Sequence, residues 1–334
     1  MSKNKAKRTT LQDIADVVGM TKMTVSRYMK NPNLVKVSSR IQIESAINKL
    51  GYIPNRAPNI LSKGKSHAIG VLFPSISNHV FDEVLRGIES VTEPAGYQIM
   101  IAHYSYSKEL EEKRIGSLLG YHVDGLILSE NVHTANTLRM ISSSGVPVTE
   151  IMDTCTPPIQ QAVGFNNMQA SQKMTEKLIQ KGYKNIAYIG AKGDVRDILR
   201  QRGYEAAIAE HALKPLIFRS PDVSSIRLGS EILDSILRVR PKVDAAICTN
   251  DDVAMGVLLS CKKKGILIPD ELAVSGMHGH EMGQLYSPKL ASVITPRFNI
   301  GKVAAEQLLS RIDGVQVIDE CIDLGFEIND GESI

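Results

Sequence analysis

The stretch TKMTVSRY, residues 21–28, gathers Lys22, Met23, Thr24, Ser26, Arg27 and Tyr28 into one short run of basic, hydroxyl and apolar side chains. Base edges in a DNA major groove call for those types. A lysine can donate to guanine acceptors, a methionine can pack on a thymine methyl, and Ser, Arg and Tyr can reach base edges or phosphate oxygens. Val25 falls between them and is expected to face a core. Met23 admits a second reading as a core residue, although Val25 and Met29 already supply apolar positions. A second group, His278, His280, Asp153 and Asp251, could be imagined as acid-base or metal-binding chemistry. Its spacing argues against that. The HGH pair offers two ligands with no third from any motif, and GxSxG, GxxxxGK[ST] and GxGxxG are all missing. No catalytic residue, metal or cofactor is expected.

The elements around residues 21–28 explain how they could be presented. Thr10 can cap a helix whose apolar positions Leu11, Ile14, Ala15 and Val18 form one face, Gly19 supplies a turn, and Thr21 can cap the next helix. This is helix-turn-helix grammar. A third helix is expected over 38–50, with Ile41, Ile43, Ala46, Ile47 and Leu50 apolar and Gly51 at its end. Charge follows the same division. Residues 1–65 hold 13 Lys and Arg against 3 Asp and Glu, whereas the rest holds 26 against 33, so a net charge of +3 conceals a basic head on an acidic body. Only the head has the profile of a polyanion binder. A solvated basic tail is the plainer alternative, but capped helices follow the Lys3, Lys5, Lys7, Arg8 arm.

Composition bounds the rest. With 334 residues, 43% hydrophobic and 22% charged, the chain can build two or three domains with substantial cores. Cys155, Cys248, Cys261 and Cys321 form no CxxC pair and read as buried free thiols in a reducing cytoplasm. The basic amino terminus lacks the apolar core of an export signal, and no apolar run approaches the roughly 18 residues of a membrane helix. Beyond a linker marked by Pro54, Pro58 and Gly64, short β-branched runs alternate with amphipathic ones. AIGVLFP, YQIMIAHY, VDGLILS and VPVTEIM alternate with helices over 81–95, 108–119 and 134–143. NIAYIGA, LIFRS, AAICTN and LAVSGM alternate with helices over 170–181, 200–211, 228–239 and 253–263. Such alternation means parallel sheets in two similar α/β halves, with a ligand cleft between them at the carboxyl ends of strands. VITPRF and CIDLGFEI come late enough to cross back between the halves.

Several motifs, in order, resemble the LacI/GalR bacterial repressors over essentially the whole chain: LQDIADVVGMTKMTVSRYMKNP, LGYIPNRAPNIL, IGVLFPSISNHVFDEVLRGIE, VDGLIL, QKGYKNIAYIGA, CTNDDVAMGVL and LASVITPRFNIG. Within that family, YIPNRAP, TKMTVSRY, GFNN and GMHGHEMG resemble the gluconate and idonate operon regulators. The resemblance implies a small all-α helix-turn-helix head plus an α/β two-lobed, periplasmic-binding-protein-like body with parallel sheets. It implies a DNA-binding domain over 1–54, a hinge helix or linker over 55–65, and an effector-binding and dimerisation domain over 66–334. The first lobe would comprise about 66–165 and 297–322, the second about 166–294 and 323–334.

By the same resemblance, Thr10, Thr21, Asn55 and Arg56 join the DNA contacts, and Leu61 matches a wedge residue that unstacks a base step in the minor groove. A tether with Leu61 packed on the body is the other reading of that segment. Effector contacts are implied at Pro74, Phe81, Ser129, Phe165, Arg200, Asn250 and His278. The two phenylalanines would pack on a carbon skeleton, Ser129 and Asn250 would bond hydroxyls, and Arg200 would take a carboxylate. His278 stands where many members carry an aspartate. With Arg200 and His280 it would make a donor-rich site suited to a sugar acid such as gluconate, idonate or a ketogluconate. The expected partners are a pseudo-palindromic double-stranded DNA operator, a sugar-acid effector and a second copy of the chain, with interface elements near 81–90, 255–264 and 279–286. No membrane is involved, and the location is the cytoplasm, at the nucleoid when operator is bound. The alternatives are a cytoplasmic sugar-binding protein or an enzyme using the same cleft.

Overall fold

The computed structural model describes residues 8–54, 64–192, 195–238, 242–316 and 318–334. The expectations for Asn55, Arg56 and Leu61 fall outside them. The chain separates into two compact units at Gly64 and Lys65.

In the first unit, α1 (Leu11–Val18), α2 (Lys22–Lys30) and α3 (Val37–Leu50) form a small helical head. Thr10 and Asp13 make a reciprocal capping box: the Asp13 amide donates to Thr10 Oγ1, and the Thr10 amide donates to Asp13 Oδ2 at 2.7 Å. Gly19 takes the left-handed φ of 66° that ends α1. Ile14, Ala15, Val25, Val35, Ile43 and Ala46 form the core, with Leu11, Val18, Met20, Tyr28, Ile47 and Leu50 packed around it. Ile41 is not part of this core; it is 64% exposed. The buried stripe of α3 runs through Ile43, Ala46, Ile47 and Leu50, the i, i+3, i+4, i+7 pattern, and Ile41 lies off that face.

The second unit holds two six-stranded sheets. Its strands are β1 (Ala68–Phe73), β2 (Gln98–His103), β3 (Gly125–Leu128), β4 (Val148–Ile151), β5 (Ala162–Gly164), β6 (Ile186–Lys192), β7 (Leu216–Val223), β8 (Ala245–Cys248), β9 (Ala273–His278), β10 (Ala291–Ile294), β11 (Cys321–Asp323) and β12 (Glu327–Asn329). The first sheet has the order β11-β5-β4-β3-β1-β2 with every pair parallel. The second has β12-β10-β9-β8-β6-β7, in which only β12 runs antiparallel. Central strands β3, β4, β8 and β9 are buried along their whole length, as a sheet covered on both faces requires.

The covering helices are α4 (Val80–Thr92), α5 (Lys108–Gly120), α6 (Ala135–Ser144), α7 (Asn167–Gln180), α8 (Val195–Glu210), α9 (Ile226–Leu237), α10 (Asp251–Lys264), α11 (Glu281–Leu285) and α12 (Arg297–Ile312). The chain passes between lobes three times: after β5, after β10, and between β11 and β12. Helix α12 returns to the first lobe and packs on α4, where Gly301 and Gly87 let the backbones meet; a Cβ on either would overlap a carbonyl of the facing helix. Strand β5 is missing from the sequence reading because three residues carry too little alternation to register. All four cysteines are free thiols, but Cys321 is exposed and Cys155 half-buried, against the expectation that all are buried. Cys321 starts the edge strand β11, which has a neighbour on one side only.

Candidate nucleic-acid interface and ligand cleft

The second helix of the head is fixed from beneath and open above. Val25 is fully buried, whereas Lys22, Met23 and Arg27 face solvent, Met23 being 66% exposed. The core reading of Met23 is therefore set aside. Thr21 caps α2: its Oγ1 accepts from the Thr24 amide at 3.2 Å and lies 2.9 Å from the Thr24 hydroxyl. The Thr10 hydroxyl donates to Asp13. Ser26 is partly exposed, and Tyr28 lays its ring on the head's core. Residues 17–43 contain no Asp or Glu but include Lys22, Arg27, Lys30, Lys36 and Arg40. This surface can meet a polyanion without like-charge repulsion, and its helix presents its first turn as a base-reading helix does.

Both sheets of the body end their parallel strands at a shared cleft of about 440 Å³, open mouth included. Met152 follows β4, Ala191 and Lys192 close β6, Thr249 and Asn250 follow β8, and His278 ends β9. Phe81 comes from the start of α4, Tyr106 from the turn after β2, Ser224 from the turn after β7, and Arg196, Asp197 and Arg200 from α8. Strand order alone puts these residues at one edge.

Arg200 is buried and donates to Asn167 Oδ1 from Nε at 3.0 Å, to the Thr249 carbonyl from Nη1 at 2.7 Å, and to His278 Nε2 from Nη2 at 3.2 Å. Arg196, one turn earlier, is also buried, with its guanidinium carbon 5.8 Å from the centre of the Phe81 ring. Asp197 pairs with Arg219 at 2.5 Å and accepts from the Tyr188 hydroxyl at 2.9 Å. Burial and the Asp197 charge hold Tyr188 well above its ordinary value, so it stays a donor.

Four of the seven implied effector residues, Phe81, Arg200, Asn250 and His278, line this cleft; Pro74, Ser129 and Phe165 do not. Pro74 is buried, and the Ser129 hydroxyl donates to the Leu72 carbonyl at 3.0 Å. Phe165 is fully buried and meets the His278 ring edge-on, 6.2 Å between centroids. Asn250 is engaged as the cap of α10 and donates to Ser224 Oγ at 3.0 Å.

His278 corrects the donor reading. Burial first, then the Arg200 charge, push its pKa well below the usual value, so the ring is neutral. A neutral ring facing a guanidinium must accept at Nε2, which leaves Nδ1–H directed at Thr295 Oγ1, 3.0 Å away. It orients Arg200 and does not add a charge. His280, unlike His278, is not in the cleft; it lies 3.4 Å from Asp252 in a separate recess with His79. Among the described residues, no group of three or more His, Cys, Asp or Glu is placed to hold a metal.

The sequence reading missed Arg196, Asp197, Tyr106 and Ser224. The signal for the first was present, since Arg196 and Arg200 are four apart, but beginning that helix at Arg200 hid the pair; the helix begins at Val195.

Comparison with known proteins settles the family. Residues 10–55 match bacterial regulatory proteins of the lacI family, and residues 66–323 match periplasmic binding proteins and the sugar-binding domain of the LacI family. The chain belongs to the LacI family. It is 49% identical to the HTH-type transcriptional regulator GntR of Escherichia coli K12, over 99% of this chain and all of that protein. It is 42% identical to the regulator IdnR of the same organism, over 98% and 99%. A LacI-family transcriptional regulator from Silicibacter pomeroyi superposes with a TM-score of 0.91 at 30% identity, covering 97% of this chain and 99% of that one. This LacI-family member is thus a DNA-binding transcriptional regulator with a ligand-binding body.

Proposed function

We propose that this regulator is a homodimeric repressor of sugar-acid catabolism genes whose grip on a pseudo-palindromic operator is modulated by gluconate, idonate or a ketogluconate. The observation that carries the effector is the pair Arg196 and Arg200, buried one turn apart on α8 and facing one cleft. A carboxylate at position 278 would sit against Arg200 and neutralise it. A neutral His278 adds no counter-charge to the guanidinium, which suits an anion in the cleft. Phe81 offers an apolar face for a carbon skeleton, while Asn250, Ser224 and Tyr106 supply polar atoms for hydroxyls.

On the DNA side, one head reads one half-site, so two-fold symmetry is needed for an inverted repeat. Lys22, Met23 and Thr24 read base edges; Thr10, Thr21, Ser26, Arg27 and Tyr28 add base or phosphate contacts. Residues 55–65 serve as the hinge, with Asn55 and Arg56 on the DNA and Leu61 as the minor-groove wedge. Ligand in the cleft stabilises one arrangement of the lobes, so it changes operator affinity by its differential affinity for the two states. Gel shifts of an inverted-repeat fragment with gluconate, idonate and 5-ketogluconate, against glucose and galactose, test this. Equal responses to hexonates and neutral hexoses would refute the sugar-acid reading, and failure to shift any inverted repeat at low salt would refute the operator reading.

A further inference from the structure

One fully buried side chain bonds in both directions across the lobe boundary. Asn167 is the first residue of α7, just after the chain leaves β5 for the second lobe. Its Oδ1 accepts from Arg200 Nε at 3.0 Å; its Nδ2 donates to the Met152 carbonyl at 2.8 Å and to Asp153 Oδ1 at 3.1 Å. Arg200 belongs to the second lobe, whereas Met152 and Asp153 follow β4 in the first.

Two further acceptors on Arg200, the Thr249 carbonyl and His278, lie within the second lobe. The receiving end is stiff. Met152 is held at a φ of 75°, which a side-chain-bearing residue adopts only when its surroundings fix it, and Asp153 Oδ2 accepts from the Thr156 amide at 3.1 Å. An amide group is rigid and planar, so its oxygen cannot follow the guanidinium without carrying its nitrogen along. A further link between the lobes, His79 to Asp252 at 3.3 Å, is largely solvent-exposed on the histidine side and correspondingly screened.

We propose that Asn167 is the positioning residue through which an anion held at Arg200 acts on the first lobe, a role that rests on the effector reading above. The side chain does not line the cleft, so it acts through Arg200 and not on the ligand.

The test uses the full-length protein and Asn167→Ala in two arms. The first needs no ligand. Amide hydrogen exchange should quicken at Thr156 in the first lobe and around Arg200 in the second; a change confined to the first turn of α7 would overturn the tether. In the second, the operator Kd is measured with and without saturating D-gluconate. The wild-type ratio should lie in the roughly five- to 150-fold range usual for such coupling, and the variant's should fall to about twofold or less. Calorimetry should show gluconate still binding the variant. A variant that keeps the wild-type ratio overturns the proposal, whatever its Tm. A wild type indifferent to gluconate and the ketogluconates overturns the effector reading instead, and hydrogen exchange then decides the tether by itself. If Asn167→Ala does not fold, Asn167→Ser, whose hydroxyl cannot span both partners, replaces it in both arms.

Discussion

His133 should make this protein less stable in mild alkali, and the size of the effect can be worked from the first lobe. The imidazole is buried between two carboxylates, with Nδ1 3.0 Å from Glu111 Oε1 and Nε2 3.1 Å from Glu150 Oε1. Burial alone would favour the neutral ring, but the hydrogen bond to Glu150, the close approach of Glu111 and the charges of both outweigh it and raise the pKa to about 9. An unfolded histidine titrates near 6.5, so between pH 6.5 and 9 the folded state keeps a proton that the unfolded state has lost. Stability is therefore complete below pH 6.5 and falls as pH rises, by about 1.4 kcal/mol per pH unit and about 3 kcal/mol across the window.

His133→Gln can hydrogen-bond but does not titrate, so its unfolding free energy should lack this slope and start lower. Removing the cation from buried carboxylates typically costs about 3–5 kcal/mol. Urea unfolding of wild type and variant at pH 6, 7.5 and 9, at one fixed protomer concentration, measures the difference. A gap between the two proteins that stays constant from pH 6 to 9 would refute the charged triad.

Further expectations concern the two candidate sites. Exchanging Lys22 and Met23 for other residues should change which operator is selected from a random-sequence pool while leaving gluconate affinity alone; an unchanged consensus removes them as base readers. Arg27→Ala, if its partner is a phosphate, should weaken all sequences alike and reduce the salt slope by about one, which a salt titration checks. Arg200→Ala should cost roughly 1.5–3 kcal/mol of hexonate binding by calorimetry while leaving salt-dependent nonspecific DNA binding intact; undiminished affinity would place the anion elsewhere. Leu61→Ala should lessen operator bending as well as affinity, and full bending in a gel-phasing assay would contradict the wedge.

The sequence by itself determined what is local. Thr10, Gly19 and Thr21 mark the boundaries of α1 and α2 because caps and left-handed turns act over three or four residues. Alternating β-branched and amphipathic runs established the parallel sheets, since each period is set by its own element. Tertiary structure decided the rest. Phe81, Arg200, Asn250 and His278 come together because parallel strands bring their carboxyl ends, and the helices that follow them, to one edge, while Ser129 spends its hydroxyl on Leu72. His278 became an acceptor and not a cation because burial beside Arg200 fixed its protonation. Asn167 in its GFNN motif, and Glu111, His133 and Glu150, gave no sign of their roles. Their partners lie up to 33 residues away, and only the packing of helices on sheets sets such distances.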